Sequence, residues 1–271
     1  MSKPRVYKTE AIVLKRANLG EADNIITLYT SNLGKIRAVA KGSRRPKSKV
    51  GGHLDLLTQS SMLLAQGQNL DVITQCQTIQ SFLPLRSDLW RTSCAIYLAE
   101  LVDQFTPEHV ENYPVYKLLQ NALLWLCEAR NKELVLRHFE LHLLSLLGYQ
   151  PELYQCLVCR SKLAPERNFF SASGGGVLCN NCVRNEPIVR PLSVESLKVM
   201  RFILTGDHIA VNRLRINADL SYEMEQLLRE YIRYLLEREV KSIEFLDRLR
   251  VETNSTKSIL NNEGYFSRFT T

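Results

Sequence analysis

Residues 24–54 read NIITLYTSNLGKIRAVAKGSRRPKSKVGGHL. The stretch contains no Asp or Glu, yet Lys35, Arg37, Lys41, Arg44, Arg45, Lys47 and Lys49 place seven cations in it. Its first half holds two β-like runs, Asn24–Thr30 and Lys35–Lys41, joined by the turn chemistry of Asn32-Leu33-Gly34. The second run alternates: Ile36, Ala38 and Ala40 point one way and Lys35, Arg37 and Lys41 the other, with Val39 the exception. One face of this strand is therefore expected to be core and the other a cationic stripe. Gly42–Gly52 (GSRRPKSKVGG) has no period, is rich in breakers, and reads as a mobile basic loop.

Working outward, Val6–Lys15 (VYKTEAIVLK) is β-rich, and two longer runs, His53–Gln66 and Leu70–Ile79, are joined by a turn at Gly67. Five strands on short loops within residues 1–80 fit a small closed barrel of the OB type, which has no exposed edges and offers one face to nucleic acid. The whole chain of 271 residues carries a formal net charge of +7. Without the seven cations of the quoted stretch, 28 basic residues would face 28 acidic ones, so the net charge can be placed in one short segment. Such segregation points to a polyanion-binding surface, with a solvated surface loop as the plainer alternative. Stacking platforms for single strands are sparse: Tyr7 and Tyr29 are the nearby aromatics, and either could be core.

After Phe82-Leu83-Pro84 the apolar period becomes helical over Leu89–Phe105, Val115–Arg130 and Glu133–Leu147, punctuated by Pro107, Pro114 and Gly148. Ser193 reads as the N-cap of a helix reaching about Leu204 and stopped by Gly206. A further helix is expected over about Asp219–Arg238, and a short one over Lys241–Leu249. The expected architecture is α+β: the barrel, then an all-α domain over residues 81–250 with a four-Cys zinc ribbon inserted at 154–186, then a polar tail, 251–271, expected to be disordered.

The insertion rests on two Cys-x-x-Cys pairs, Cys156/Cys159 and Cys179/Cys182, at the separation of a four-thiolate zinc site. Four thiolates fill a tetrahedron and leave no position for water or substrate, so one structural Zn2+ is expected rather than a hydrolytic metal. The alternatives are four unrelated buried cysteines or two disulfides. Cys76, Cys94 and Cys127 stand alone in apolar patterns and read as small core residues. An odd total of seven cysteines and no apolar segment near Met1 argue against a secreted disulfide scaffold and for a reducing cytosol. No apolar run approaches the roughly 20 residues of a membrane span.

No catalytic set emerges. His138 and His142 are four apart on an expected helix, but the His-Glu-x-x-His order is missing, and ordinary packing histidines are the simpler reading. Gly174-Gly175-Gly176 lacks the Lys-Ser/Thr of a phosphate loop and suits a turn in the ribbon. Glu21 and Asp23, two residues apart beside the basic segment, suit turn or ion-pair roles better than a cation site.

Taken together, GEADNIITLYTSNLGKIRAVAKGSRRPKSKVGG, the cysteine unit YQCLVC…GGGVLCNNC and the run REYIRYLLEREVKSIEFLDRL resemble the bacterial recombination and repair family RecO, over about Val6–Arg250. The resemblance implies an N-terminal OB domain, a helical C-terminal domain and a zinc ribbon set within it. It implies activity without covalent chemistry: binding single- and double-stranded DNA, annealing complementary strands, and working with RecR to help RecA replace single-strand-binding protein, in the cytoplasm and at the nucleoid. On the matched positions Lys35, Arg37, Lys41, Arg44, Arg45, Lys47 and Lys49 would line the DNA surface, with Lys15 and Arg16 as neighbours. Some members of the family lack the cysteines, so zinc is not essential to its activity in general. An RNA-binding or ribosome-associated protein built from an OB barrel and a zinc unit would show the same loop and knuckles, and stays open on the residues alone.

Overall fold

The computed structural model describes residues 6–186 and 188–252. Five strands, β1 (Val6–Leu19), β2 (Asp23–Thr30), β3 (Gly34–Ala40), β4 (Gln59–Ala65) and β5 (Asp71–Gln80), close into a barrel in the order β1-β2-β3-β5-β4. Neighbours are antiparallel except β3 and β5, which pair in parallel only at Ala38–Asp71 and Val39–Val72. The barrel is the expected OB-like one.

The apolar run Ala11–Leu14 explains how the barrel meets the rest of the chain. Successive strand residues point to opposite faces, and here both faces are buried. Ala11, Val13, Ile26, Leu28, Ile36, Ala38 and Leu64 fill the barrel. Ile12, Leu14 and Tyr29 point outward and join the core of the helical half. Barrel and helices therefore share β1 and β2 as a common wall.

Two strand expectations are corrected. β1 continues four residues past Lys15, and Lys15–Leu19 are exposed, so no alternation marked them. His53–Gln66 is not one strand. Gly51–His53 form a 3-10 turn, the chain bends through Leu57 at φ 66°, and only Gln59–Ala65 pair as β4. The bend is enforced by burial. Leu54 enters the barrel and Leu57 the helical core, while the Leu57 amide donates to the Val13 carbonyl at 2.8 Å.

The helices are α1 (Leu83–Arg86), α2 (Leu89–Phe105), α3 (Tyr113–Glu128), α4 (Lys132–Leu146), α5 (Val194–Thr205), α6 (His208–Asn212), α7 (Ala218–Leu236) and one over residues 241–252. Side-chain oxygens of Asp88, Asn112, Asn131, Ser193 and Asn217 each accept an amide in the first turn of α2, α3, α4, α5 and α7, satisfying donors that have no intrahelical partner. Residues 251–252 of the expected tail are helical, and 253–271 lie outside the described residues.

Between α4 and α5 a three-stranded sheet, β6 (Asn168–Ser171), β7 (Gly176–Leu178) and β8 (Arg190–Leu192), has the order β7-β6-β8. Gly175, at φ +69°, makes the β6–β7 turn. The unit is fastened to the helices by Phe170 packed edge-on to Tyr231 at 5.7 Å and by the Tyr231 hydroxyl donating to the Tyr149 carbonyl at 3.0 Å.

Candidate nucleic-acid interface and metal centre

The basic loop leaves β3 at Lys41, and its base is bonded to the barrel. Gly42 takes φ +63°, and its amide donates to the Asp23 carboxylate at 2.7 Å. Asn24 donates to the Ser43 hydroxyl at 2.8 Å, and that hydroxyl donates to the Ala40 carbonyl at 2.9 Å. The Arg44 amide reaches the Ala22 carbonyl at 3.0 Å. At the far end Gly51 passes so close that an added Cβ would lie 2.4 Å from the Ser43 carbonyl oxygen. These bonds turn the backbone inward and the long side chains outward. Asp23 thus has the turn role expected of it.

Lys41, Arg44, Arg45, Lys47 and Lys49 are all exposed, and none has an acidic partner among the described residues. Lys41, Arg45, Lys47 and Lys49 lie along an open groove of about 440 Å³ whose floor includes Ile73 and Thr74 of β5. The other expected cations sit differently. Lys35 is only 9% exposed, and its ammonium is held by both the backbone carbonyl and the carboxylate of Asp103, the latter at 3.1 Å. Its outward face, read as part of a cationic stripe, is covered by α2, which corrects that expectation. Arg37 is half exposed and pairs through Nε with Glu108 at 2.8 Å. Lys15 is exposed; Arg16 pairs with Asp55 at 2.8 Å, an acid shared with Arg86 at 3.1 Å.

The aromatics offer no platform on this face. Tyr29 is fully buried, and Tyr7 donates its hydroxyl to Asp71 while burial, and then the Asp71 carboxylate, raises its pKa. His138 and His142 pack against each other. Their rings lie 4.2 Å apart, His142 Nε2 meets the Ile203 carbonyl at 3.0 Å, and burial, aided by His142 and His208, pushes His138 down to about 3.

The four ribbon cysteines do come together, all four sulfurs lying within 4.8 Å of one another. A tetrahedron with metal–sulfur bonds near 2.3 Å has edges of about 3.8 Å, and Cys159 Sγ and Cys179 Sγ are 3.8 Å apart. Burial raises the Cys156 thiol, but the amides of Cys179, Cys159 and Val158 outweigh it and hold that thiol below its usual value. Ser161, through hydroxyl and amide, holds Cys159 at about 6, whereas the neighbouring Cys179 sulfur pushes Cys182 up to about 12. One thiol gives up its proton readily because Ser161 donates to it, and another keeps its proton to share it with the Cys179 sulfur, so four thiolates at this distance would repel one another without a counter-charge. A divalent cation would remove that repulsion. The donor set fits one, and among the described residues no other cluster of three or more such ligands is found.

Residues 1–82 match the family described as Recombination protein O N terminal, and residues 86–244 that described as Recombination protein O C terminal. The chain belongs to the RecO family. It is 43% identical over 251 residues to DNA repair protein RecO of Dehalococcoides mccartyi strain CBDB1, covering 93% of this chain and 99% of that relative. To DNA repair protein RecO of Roseiflexus sp. strain RS-1 it is 40% identical, with 94% and 90% covered. To that of Thermoanaerobacter sp. strain X514 it is 33% identical, with 91% and 99% covered. No described helix is long and apolar enough to cross a membrane.

Reading this RecO-family sequence alone missed Asp103 and Glu108, the acids that occupy Lys35 and Arg37. Their one local signal is that Pro107 interrupts α2 and α3 with a short acidic connection, which says nothing of where that connection lands.

Proposed function

We propose that this RecO-family chain is a non-enzymatic DNA-repair mediator that grips single- and double-stranded DNA on the loop of Lys41, Arg44, Arg45, Lys47 and Lys49 and anneals complementary strands. In this reading it acts in the cytoplasm at the nucleoid, with RecR, on strands covered by single-strand-binding protein, and so helps RecA to load. The observation that carries it is the loop: five exposed cations without acidic partners among the described residues, on a backbone bonded to the barrel.

Neutralising phosphates releases condensed counterions, giving affinity that is blind to sequence and falls steeply with salt. Contacts to the sugar–phosphate backbone leave base edges free, and free edges can pair. Annealing two polyanions needs their repulsion lowered without their bases being occupied, and a cationic loop lacking an aromatic platform meets both needs.

The four thiolates would hold one Zn2+, which would supply no reaction step. It would fasten a segment too small to bury a core of its own. Chelation should therefore lower the melting temperature before it lowers DNA affinity.

Reversing Arg44, Arg45 and Lys47 to Glu is expected to weaken oligonucleotide binding about a hundredfold at low salt and to flatten the salt dependence by about two units of slope. The melting temperature should hold, because none of the three side chains is buried. Unchanged affinity would overturn the proposal.

A further inference from the structure

The connection between α2 and α3 lies along β3 where the barrel is least closed. β5 pairs with β3 only at Ala38 and Val39, so the Gly34–Arg37 edge lacks a strand from the barrel itself. Residues of the connection fill it: Lys35 and Glu108 form a parallel bridge, and the His109 amide donates to the Lys35 carbonyl at 2.8 Å. Gly34 approaches so closely that an added Cβ would lie 1.9 Å from the Val110 carbonyl oxygen. His109 adopts φ 61°, a backbone state unusual for a residue with a side chain. Backbone pairing thus delivers the Glu108 carboxylate to Arg37, and the cost of ordering it is already met by the strap.

We infer that Glu108 limits the affinity of this face for nucleic acid, holding Arg37 in an ion pair that a backbone phosphate must displace. The inference rests on the DNA-binding reading proposed above. Chemistry favours the exchange, because an Arg guanidinium takes a phosphate in the same forked geometry as a carboxylate. Accessibility separates Arg37 from its neighbour on the strand. The Arg37 and Glu108 side chains are 51% and 38% exposed, so water and phosphate can reach both. The Lys35 side chain is 11% exposed and also bonded to a backbone carbonyl, so it stays with Asp103. The seven cations then fall into three groups: five without an acidic partner among the described residues, one contested by Glu108, and one withdrawn into the junction between barrel and helices.

The test is Glu108→Gln in the full chain, titrated with a fluorescent single-stranded oligothymidylate at several salt concentrations. Exposed ion pairs are weak, so affinity at low salt should rise roughly two- to fivefold. One added phosphate contact should steepen the log–log salt dependence by about 0.7. The gain should vanish when Arg37→Gln is also present. Glu111→Gln is the control, since Glu111 is exposed on the same connection and has no partner among the described residues. It should leave the salt slope unchanged, with or without Arg37→Gln. Glu108→Ala, read alongside melting temperature, provides a second variant.

A gain in Glu108→Gln that survives Arg37→Gln would be a general charge effect and would overturn the inference, as would no gain in a chain that binds normally. Either result leaves the proposed function standing. A wild-type chain that does not bind the oligonucleotide would overturn both.

Discussion

At the start of β3, Lys35 and Arg37 meet Asp103 and Glu108 of the helical half at 3.1 and 2.8 Å; past its end, Lys41 and the loop cations meet no acid among the described residues. Composition does not distinguish the two ends, since both are basic on a strand with an apolar inner face. What differs is whether another part of the chain covers them. The covered end has become a joint, in which Lys35 is withdrawn from partners and Arg37 is contested by Glu108. The open end keeps its charges in water, where they contribute little to folding and remain available. Five cations without acidic partners among the described residues repel one another on one loop, a modest cost in solution that a polyanion would reverse.

The largest effect expected at the covered end comes from Gly34→Ala. The residue sits at φ +66° with the Val110 carbonyl oxygen in the path of any Cβ. Left-handed strain and the clash together should cost about 3 kcal/mol, read by urea unfolding. Stability close to wild type would mean that the connection can leave β3 freely, and the joint would lose its meaning. Lys35→Met comes next. It removes the ammonium while filling the same space, and should cost about 1–2 kcal/mol from the lost charge-assisted bonds, with oligonucleotide affinity within about twofold of wild type. A large fall in affinity at constant stability would return Lys35 to the binding surface and erase the difference between the ends.

Much of this fold could be read from the chain because its signals are local. Leu89–Phe105 was expected as a helix with the bounds of α2, and Ser193 was expected to cap α5, since apolar spacing and a capping oxygen act within a turn or two. The four cysteines were legible because metal chemistry fixes their spacing. Lys35 shows where such reading stops. Alternation correctly turned it away from the barrel interior, but the group that covers it, Asp103, lies 68 positions further along. The basic loop shows the same limit in reverse. Its composition, full of breakers, gives no sign of the side-chain bonds that Asp23 and Asn24, nineteen positions earlier, make to its first residues. The bend at Leu54–Leu57 was hidden for a related reason: two leucines three apart enter two different cores.

Asp23 gives the smallest and most discriminating test at the open end, because two effects of opposite sign meet there. Its carboxylate accepts from the Gly42 amide at 2.7 Å and so shapes the loop, yet a negative charge at the base of the loop opposes phosphate. Asp23→Asn keeps an acceptor oxygen and removes the charge; it should leave the melting temperature unchanged and tighten oligonucleotide binding about twofold, as expected for one exposed charge. Asp23→Ala removes both and should cost about 1 kcal/mol of stability for the unmet amide. Its affinity should fall below that of the Asn variant, since a loosened loop must be ordered again on binding. If the two variants agree in stability and affinity, the loop keeps its shape without Asp23, and the open end is organised by Asn24 and Ser43 alone.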